Sequence, residues 1–422
     1  MTGAVGASLA AALLAVASRP LPGRGVDEPR TVQVRAREIW TAAGQRVSDA
    51  LLLVVDGRVR SVKAGAEADP ELPLVVHDGV VTAGLIACHT DSGAQGELED
   101  DSRSVMPTAL AAYAFDPEHP DFERALAAGI TALALTPGDE NLVGGLTCVV
   151  KTAGARVLER EATLAISFSS RALGRSGSQG FFLLGAAEGG AGPTAAEEGG
   201  PELTARTQRG SREPTSYSGA LLMLRKLFAE KEGPFARAAG GELPVTLEAL
   251  DRHEVLRAAR FAVEHDLVGA IRGAPLASDP DVVAALRETH LGVIVGPWSA
   301  DQTVRSLESV RALAEAGIPV AFALDAPLHH PEELRLFAAR ALWAGAGHDA
   351  VFRALTSDAA RLVGTPDHIG TLEPGRDADF VLWSGDPLDL SSRIEAVYVD
   401  GVRRWTAPAR PASNERDEKH HR

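Results

Sequence analysis

A chain of 422 residues with 45% hydrophobic residues is long enough for one large domain and a smaller one around a substantial core. The formal net charge of −15 argues against a nucleic-acid partner, because phosphate binding needs a concentrated surplus of Lys and Arg. The two cysteines, Cys88 and Cys148, form neither a disulfide framework nor a zinc-binding cysteine pattern.

The first 30 residues precede any strand or helix pattern. Residues 4–17, AVGASLAAALLAVA, form an apolar run of signal-peptide length, although no Lys or Arg precedes it. We interpret residues 1–30 as a signal peptide and linker, which predicts export to the periplasm or cell envelope. The alternative is a disordered, alanine-rich start of a cytoplasmic protein. No other stretch reaches 18 apolar residues, so an integral membrane protein is not expected.

Two separate segments have strand and turn character. Residues 31–83 contain the alternating stretch TVQVRA and the turn pairs Asp56-Gly57 and Asp78-Gly79, which are hairpin signals. Residues 366–406 return to this pattern with FVLW and IEAVYVDGVRRW. Because neither segment has enough apolar faces to form a core alone, we predict that they join in one small β-sandwich.

Between these segments, residues 84–365 alternate short apolar runs with helical periods. This alternation is typical of β/α repeats around a parallel sheet and predicts an α/β fold with a (β/α)8 TIM-type barrel. One helix is expected to begin near Pro331, with Leu334, Phe337 and Ala338 on its buried face. A flexible insertion is predicted near residues 186–216 and a disordered tail over residues 407–422.

Polar residues that end apolar strands are the candidate site residues, because strand carboxyl ends converge on the functional face of a β/α barrel. In GLIACHTDSG, His89 and Asp91 are two positions apart, so both side chains point to one side of a strand. This motif is either the beginning of a metal site or an altered form of one. The further candidates of this kind are Lys151, Glu248, Arg272 and Asp325.

Four stretches resemble the amidohydrolase superfamily, and most closely its imidazolonepropionase-like bacterial members. They are VVTAGLIACHTDSG, DFERALAAGITALALTPGDENLVGG, IPVAFALDAP and LTSDAARLVGTPDHIGTLEPGRDADFVLWSGDP, and the resemblance covers about residues 31 to 406. It implies a hydrolase of carbon–nitrogen bonds other than peptide bonds. Zinc or a similar divalent ion would lower the pKa of a bound water in such an enzyme.

The resemblance also implies a ligand set. It consists of a His-x-His pair ending the first strand, a Lys or Glu in the middle of the barrel, a His on the fifth strand, a His on the sixth and an Asp on the eighth. His89 matches the first His, and Asp325 matches the last Asp, which takes a proton from the attacking water. Lys151 is the candidate for the middle position. Three positions depart from the pattern, where Asp91, Glu248 and Arg272 replace His.

Arg272 decides between two hypotheses for the site. Its guanidinium is cationic and has no acceptor atom, so it is not a metal ligand. At 4 Å and an effective dielectric constant of about 20, two unit charges interact by about 4 kcal/mol, and a divalent ion doubles that repulsion. One hypothesis is a single divalent metal held by His89, Asp91, Glu248 and Asp325, with Asp325 catalytic. The other is a metal-free cluster in which Arg272 and Lys151 replace the cation.

These hypotheses lead to two expected functions. The first is hydrolysis of a small amide at an altered metal site with reduced or lost activity. The second is a metal-free pseudoenzyme that binds a small-molecule ligand or acts as a partner subunit. In either role, a homo-oligomer or a hetero-oligomer with an active relative is expected.

Overall fold

The computed structural model describes residues 30–100, 102–174, 213–275, 277–299, 301–325 and 328–408. The signal peptide predicted within residues 1–30, nearly all of the insertion predicted near residues 186–216, and the tail beyond residue 408 lie outside the described residues. Those three expectations stay predictions.

The described chain contains 17 strands and ten α-helices. The strands are β1 (Val32–Ala42), β2 (Gln45–Val55), β3 (Arg58–Ala64), β4 (Leu74–Ala83), β5 (Leu85–Thr90), β6 (Ile130–Leu135), β7 (Val143–Leu146), β8 (Cys148–Lys151), β9 (Val157–Glu159), β10 (Leu164–Ser167), β11 (Val245–Ala249), β12 (Val268–Gly273), β13 (His290–Val295), β14 (Val320–Phe322), β15 (Phe380–Trp383), β16 (Ile394–Val399) and β17 (Val402–Thr406). The helices are α1 (Asp121–Ala127), α2 (Tyr217–Glu230), α3 (Gly233–Ala239), α4 (Arg252–Glu264), α5 (Pro280–Arg287), α6 (Val304–Leu307), α7 (Ser309–Glu315), α8 (Glu333–Trp343), α9 (His348–Leu355) and α10 (Ser357–Leu362).

A seven-stranded sheet combines the two ends of the described chain. Its order is β17-β16-β15-β4-β1-β2-β3, so β4 pairs with β15 across the whole intervening chain. β1 and β4 run parallel, and the other neighbouring strands run antiparallel. One face buries an apolar cluster that includes Ile39, Leu52 and Phe380, and the Phe380 ring stacks on Tyr398 with centroids 4.4 Å apart. This cluster joins both segments in one core.

The middle of the chain forms two smaller sheets. The six-stranded sheet has the order β14-β13-β12-β11-β10-β7, and the strands from β10 to β14 are parallel. Helices follow these strands and pack apolar faces against them, as α8 does with Leu334, Phe337 and Ala338. Burial of each large apolar side chain contributes about 1.5–3 kcal/mol to folding.

The four-stranded sheet has the order β5-β6-β8-β9. It meets the six-stranded sheet where the backbone N–H groups of Leu324 and Asp325 donate to the His89 carbonyl, at 3.2 and 2.8 Å. The architecture is a mixed α/β fold. Within the described residues, the strands are hydrogen-bonded into three separate sheets. A closed (β/α)8 barrel and a two-layer sandwich therefore stay predictions. No described helix has the length and apolar character needed to cross a membrane.

β7, β8 and β9 depart from the predicted run of parallel strands. β7 pairs antiparallel with β10, and β8 pairs antiparallel with β6 and β9. Gly145 in β7 has a φ of 121°, and a Cβ there would lie 2.5 Å from the Ala109 carbonyl oxygen, so this position requires glycine. The apolar runs in this region predicted strands, but they did not predict strand direction.

Lys151 is displaced from its predicted position by this reversal. In the antiparallel pair, Lys151 faces Ala132 near the start of β6, whereas Cys148 faces Leu135 at its end. The end of β6 is the part that lies beside Thr90 at the end of β5. Lys151 is therefore at the opposite end of the sheet from His89, which corrects the expectation that it is a second cation of the candidate site.

Lys151 instead joins two sheets through a buried charge cluster. Its ammonium has no exposed surface and lies 2.8 Å from Asp377 Oδ2 and 3.0 Å from Asp379 Oδ1, and it also contacts Asp400. Burial opposes the positive charge, but the carboxylates of Asp379, Asp400 and Asp377 outweigh that effect and raise the pKa of Lys151. The cluster thus links β8 to the residues flanking β15 and β16.

We expect Lys151→Met to lower the free energy of unfolding by about 3–5 kcal/mol, because it removes the buried cation that contacts all three carboxylates. Asp377 and Asp400 then keep only their ion pairs with partly exposed arginines, which include Arg156. Urea denaturation of the parent and the variant measures this difference. Lys63→Met, at an exposed position of β3, is the matched control and should leave the midpoint close to that of the parent. Equal losses in the two variants would show that the buried cluster adds no stability.

Candidate active site

Parallel pairing brings polar strand ends together in one cleft. Ser167, Glu248 and Arg272 are lateral neighbours at the carboxyl ends of β10, β11 and β12. β5 supplies His89, and the loop after β6 supplies Asp139. The polar residues that line the cleft are His89, Thr136, Asp139, Asn141, Ser167, Thr246, Glu248 and Arg272.

His89 and Asp325 form the first pair of the site. His89 is buried one residue before the end of β5, and its Nε2 lies 3.5 Å from Asp325 Oδ1. Asp325 follows β14 with a φ of 53°, a left-handed conformation that is uncommon for a residue with a side chain. The Asp325 N–H donates to the His89 carbonyl and fixes this turn. Backbone strain of this kind is concentrated at functional sites.

The two members of this pair have pKa values below their ordinary ranges. Burial, followed by the positive charge of Arg272, lowers the pKa of His89 to about 4. The hydrogen bond with His89 is the main cause that lowers the pKa of Asp325, and the charge of Arg272 acts in the same direction. At neutral pH the pair therefore consists of a neutral imidazole and a carboxylate.

Glu248 and Arg272 form the second pair. Both side chains are buried, and Arg272 Nη2 lies 3.2 Å from Glu248 Oε2. Burial raises the pKa of Glu248 to about 8; the charge of Arg272 opposes this shift, and the carboxylate of Asp139 adds to it. Glu248 therefore retains its proton at neutral pH despite the nearby guanidinium.

Asp139 and Arg171 complete the site, and the sequence analysis did not identify either residue. Arg272 Nη2 donates to Asp139 Oδ2 at 3.2 Å, and the same carboxylate oxygen accepts from Arg171 Nη1. Burial works to raise the pKa of Asp139, but hydrogen bonding with Glu248 and the charges of Arg272 and Arg171 hold it below its usual range. Both residues follow a strand within a few positions, so the sequence signal that points to them is a charged side chain in the loop after an apolar strand.

Asp91 lies beside the site without joining either pair. It directly follows β5 and is exposed, and within the described ranges it makes no ion pair with Arg272. The structure therefore brings together His89 with Asp325, and Glu248 with Arg272, among the residues selected from the sequence. Asp91 is peripheral to those contacts, and Lys151 is in the separate buried cluster.

The donor groups of the site do not fit the metal ligand set that the sequence resemblance implies. A metal would need three or more converging donors, and among the described residues no group of three His, Cys, Asp or Glu side chains has such an arrangement. Glu248 faces a guanidinium, which repels a cation. The chemistry that these residues offer is proton transfer at Glu248 and Asp325 and a fixed positive charge at Arg272.

Comparison with known proteins finds sequence and structural similarity to amidohydrolases. The model of the amidohydrolase family Amidohydro_3 matches residues 248–404. An imidazolonepropionase of Rhizorhabdus wittichii is 31% identical over 169 residues, which are 39% of this chain and 40% of that protein. Amidohydrolase tasK of Hapsidospora irregularis is 24% identical over 111 residues, which are 26% of this chain and 11% of that protein. The chain thus spans less than half the length of these curated relatives.

A solved structure extends the likeness to most of the chain. An amidohydrolase from Thermotoga maritima superposes with a TM-score of 0.72 at 23% identity, covering 89% of this chain and all of that one. At this identity the likeness shows the fold. Amidohydrolase family members commonly use a divalent metal, which makes the donor set of this site a departure from the common pattern. Together, the family match over residues 248–404, the curated relatives and the shared fold support a relationship of this chain to the amidohydrolase superfamily.

Proposed function

We propose that this chain hydrolyses a carbon–nitrogen bond, other than a peptide bond, of a small amide bound in the cleft. The observation that carries the proposal is the opposite perturbation of two carboxyl groups, because Glu248 has its pKa raised to about 8 and Asp325 has its pKa lowered. Such a divergence within one site is typical of a general acid and a general base. We further infer that β5 to β14 close into a barrel around the cleft, supported by the hydrogen bonds to the His89 carbonyl.

In this proposal, Glu248 is the general acid. Its carboxyl retains a proton at neutral pH and can donate it to the nitrogen that leaves when the C–N bond breaks. The buried position of Glu248 keeps this proton from exchanging freely with bulk water. Arg272 lies beside Glu248 and offers positive charge toward the carbonyl oxygen, where negative charge develops during attack.

Asp325 is the proposed general base, and His89 is its positioning residue. Asp325 accepts a proton from the water whose oxygen attacks the carbonyl carbon. His89, held on β5, keeps the carboxylate oriented through their contact at 3.5 Å. The hydroxyl group of the water is added to the carbonyl carbon, and the proton from Glu248 is added to the departing nitrogen. Once the products leave and water enters the cleft, Asp325 releases its proton to solvent and Glu248 takes one up, which restores the site.

A second candidate function is ligand binding without turnover. The observation in its favour is that His89 Nδ1 and Glu248 Oε1 are buried in the cleft without a hydrogen-bond partner among the described residues. Unpaired buried polar atoms are costly, and a polar ligand group would satisfy them. Such a protein could act alone or as a subunit beside an active relative.

We expect the parent to hydrolyse at least one member of a panel of small cyclic and linear amides. The panel includes imidazolone-propionate compounds because one relative is an imidazolonepropionase. Asp325→Asn should lower kcat/KM by about 100-fold or more, since it removes the proposed proton acceptor. Mass spectrometry that follows addition of water to each compound measures the rates.

The matched control is Asp367→Asn, at a side chain that is 90% exposed and forms an ion pair with Arg376 outside the cleft. It should retain the parent rate. If panel members bind, as measured by calorimetry, but none gains water, the ligand-binding function replaces the hydrolase proposal. Equal rates for the parent and Asp325→Asn would remove Asp325 from the mechanism.

The raised pKa of Glu248 also predicts a pH-dependent stability. Between pH values of about 4.5 and 8, the folded state retains a proton that the unfolded state releases. The free energy of unfolding of the parent should therefore fall with rising pH in this window, relative to Glu248→Gln. The largest slope for one proton is about 1.4 kcal/mol per pH unit. Urea denaturation at closely spaced pH values measures the difference.

Glu242→Gln, at an exposed turn position, is the control for this measurement. Its difference from the parent should stay constant across the same pH range. A constant difference for Glu248→Gln as well would mean that Glu248 titrates near its ordinary pKa and is not the proton donor.

A further inference from the structure

The position of Arg272 on β12 is fixed by the sheet itself. Glu248 and Arg272 are paired in the parallel register of β11 and β12, and Ser167 is the next neighbour on β10. The Arg272 side chain is only 8% exposed, so the guanidinium lies inside the cleft and not in bulk solvent. A cation is therefore built into the carboxyl ends of the parallel strands.

The acidic side chains around Arg272 are arranged to hold this cation. Nη2 lies 3.2 Å from Asp139 Oδ2 and 3.2 Å from Glu248 Oε2, so one nitrogen bridges two acidic side chains. Asp139 also contacts Arg171, whose side chain is 59% exposed at the edge of the cleft. The resulting chain of contacts runs from Arg171 through Asp139 and Arg272 to Glu248.

This arrangement leaves few donor atoms that could coordinate a divalent ion. Glu248 and Asp139 are the acidic groups nearest to the guanidinium, and both are already in contact with it. His89 and Asp325 contact each other and provide two donors, fewer than the three protein ligands of an ordinary zinc site. A divalent ion placed between these two pairs would also be repelled by Arg272.

We propose that the guanidinium of Arg272 takes the place of the superfamily's divalent cation, clamped by Asp139 and Glu248. The cleft then holds one permanent positive charge whose position does not depend on metal supply or on chelators. This inference concerns the identity of the cation and goes beyond the proposed function, because it holds whether the bound molecule is hydrolysed or only retained.

The experiment measures zinc and manganese per chain, together with Tm, after dialysis against each metal and then against metal-free buffer. The parent should retain well below one metal per chain, and EDTA should leave its Tm unchanged. Arg272→Lys should also bind no metal, because the charge is retained, but it should have a lower Tm because the bridging geometry of the guanidinium is lost.

Arg272→His should behave differently from both. It removes the fixed charge and adds a neutral imidazole beside Glu248, so zinc retention should approach one per chain, with a Tm that EDTA lowers. The control is Arg305→His, at a side chain that is 58% exposed and outside the cleft, which should retain no more metal than the parent.

Two results would overturn the proposal. One is a parent that retains one or more metals per chain and whose Tm falls in EDTA. This measurement tests the proposal even if Arg272→His does not fold. The other is a folded Arg272→His variant whose metal content equals that of the parent. Neither result depends on hydrolysis, so failure of this proposal is distinguishable from failure of the amide panel.

Discussion

The parallel register of β11 and β12 is the constraint on which the site depends. It makes Glu248 and Arg272 direct neighbours in a part of the molecule that water scarcely reaches. In that environment an acid and a guanidinium influence each other and every adjacent group strongly. The same guanidinium lowers the pKa of His89 and of Asp325, although neither residue lies on a strand next to β12. The cation held by this lateral contact thus contributes to the pKa values of His89 and Asp325 as well as to that of Glu248.

The site is organised at a cost to local stability. The buried His89 Nδ1 and Glu248 Oε1 atoms lack partners among the described residues, and each such atom typically costs about 1–3 kcal/mol. Asp325 adds the cost of a left-handed backbone conformation. The three sheets and their apolar clusters offset these costs elsewhere. Proteins commonly accept such penalties where a polar group must remain available for a ligand or a reaction.

Sequence patterns located four residues of the candidate site, because polar residues that end apolar strands are easy to recognise. Apolar runs followed by a polar residue located His89, Glu248, Arg272 and Asp325, and the structure brings these into two contacting pairs. The position of Lys151 was wrong because hydrophobic runs carry no information on strand direction, and β8 is reversed.

Asp139 and Arg171 were missed for a different physical reason. Each lies in a loop or a short turn after its strand, where no hydrophobic period constrains the position of a side chain. Their contacts arise only when the sheets come together. The fold class followed from the β/α alternation, whereas the division of the strands into three sheets depends on long-range pairing that no local pattern encodes.

The pairing of β4 with β15 has a consequence for the order in which this protein folds. His77 on β4 bonds to the carbonyl of Trp383, 306 positions later in the chain. While the ribosome is still making the middle of the protein, β1 to β4 can form a partial sheet, but the edge of β4 has no neighbour. Exposed strand edges are sites of intermolecular pairing, and distant pairings form slowly. The nascent chain therefore carries an open edge until β15 has been synthesised and covers it.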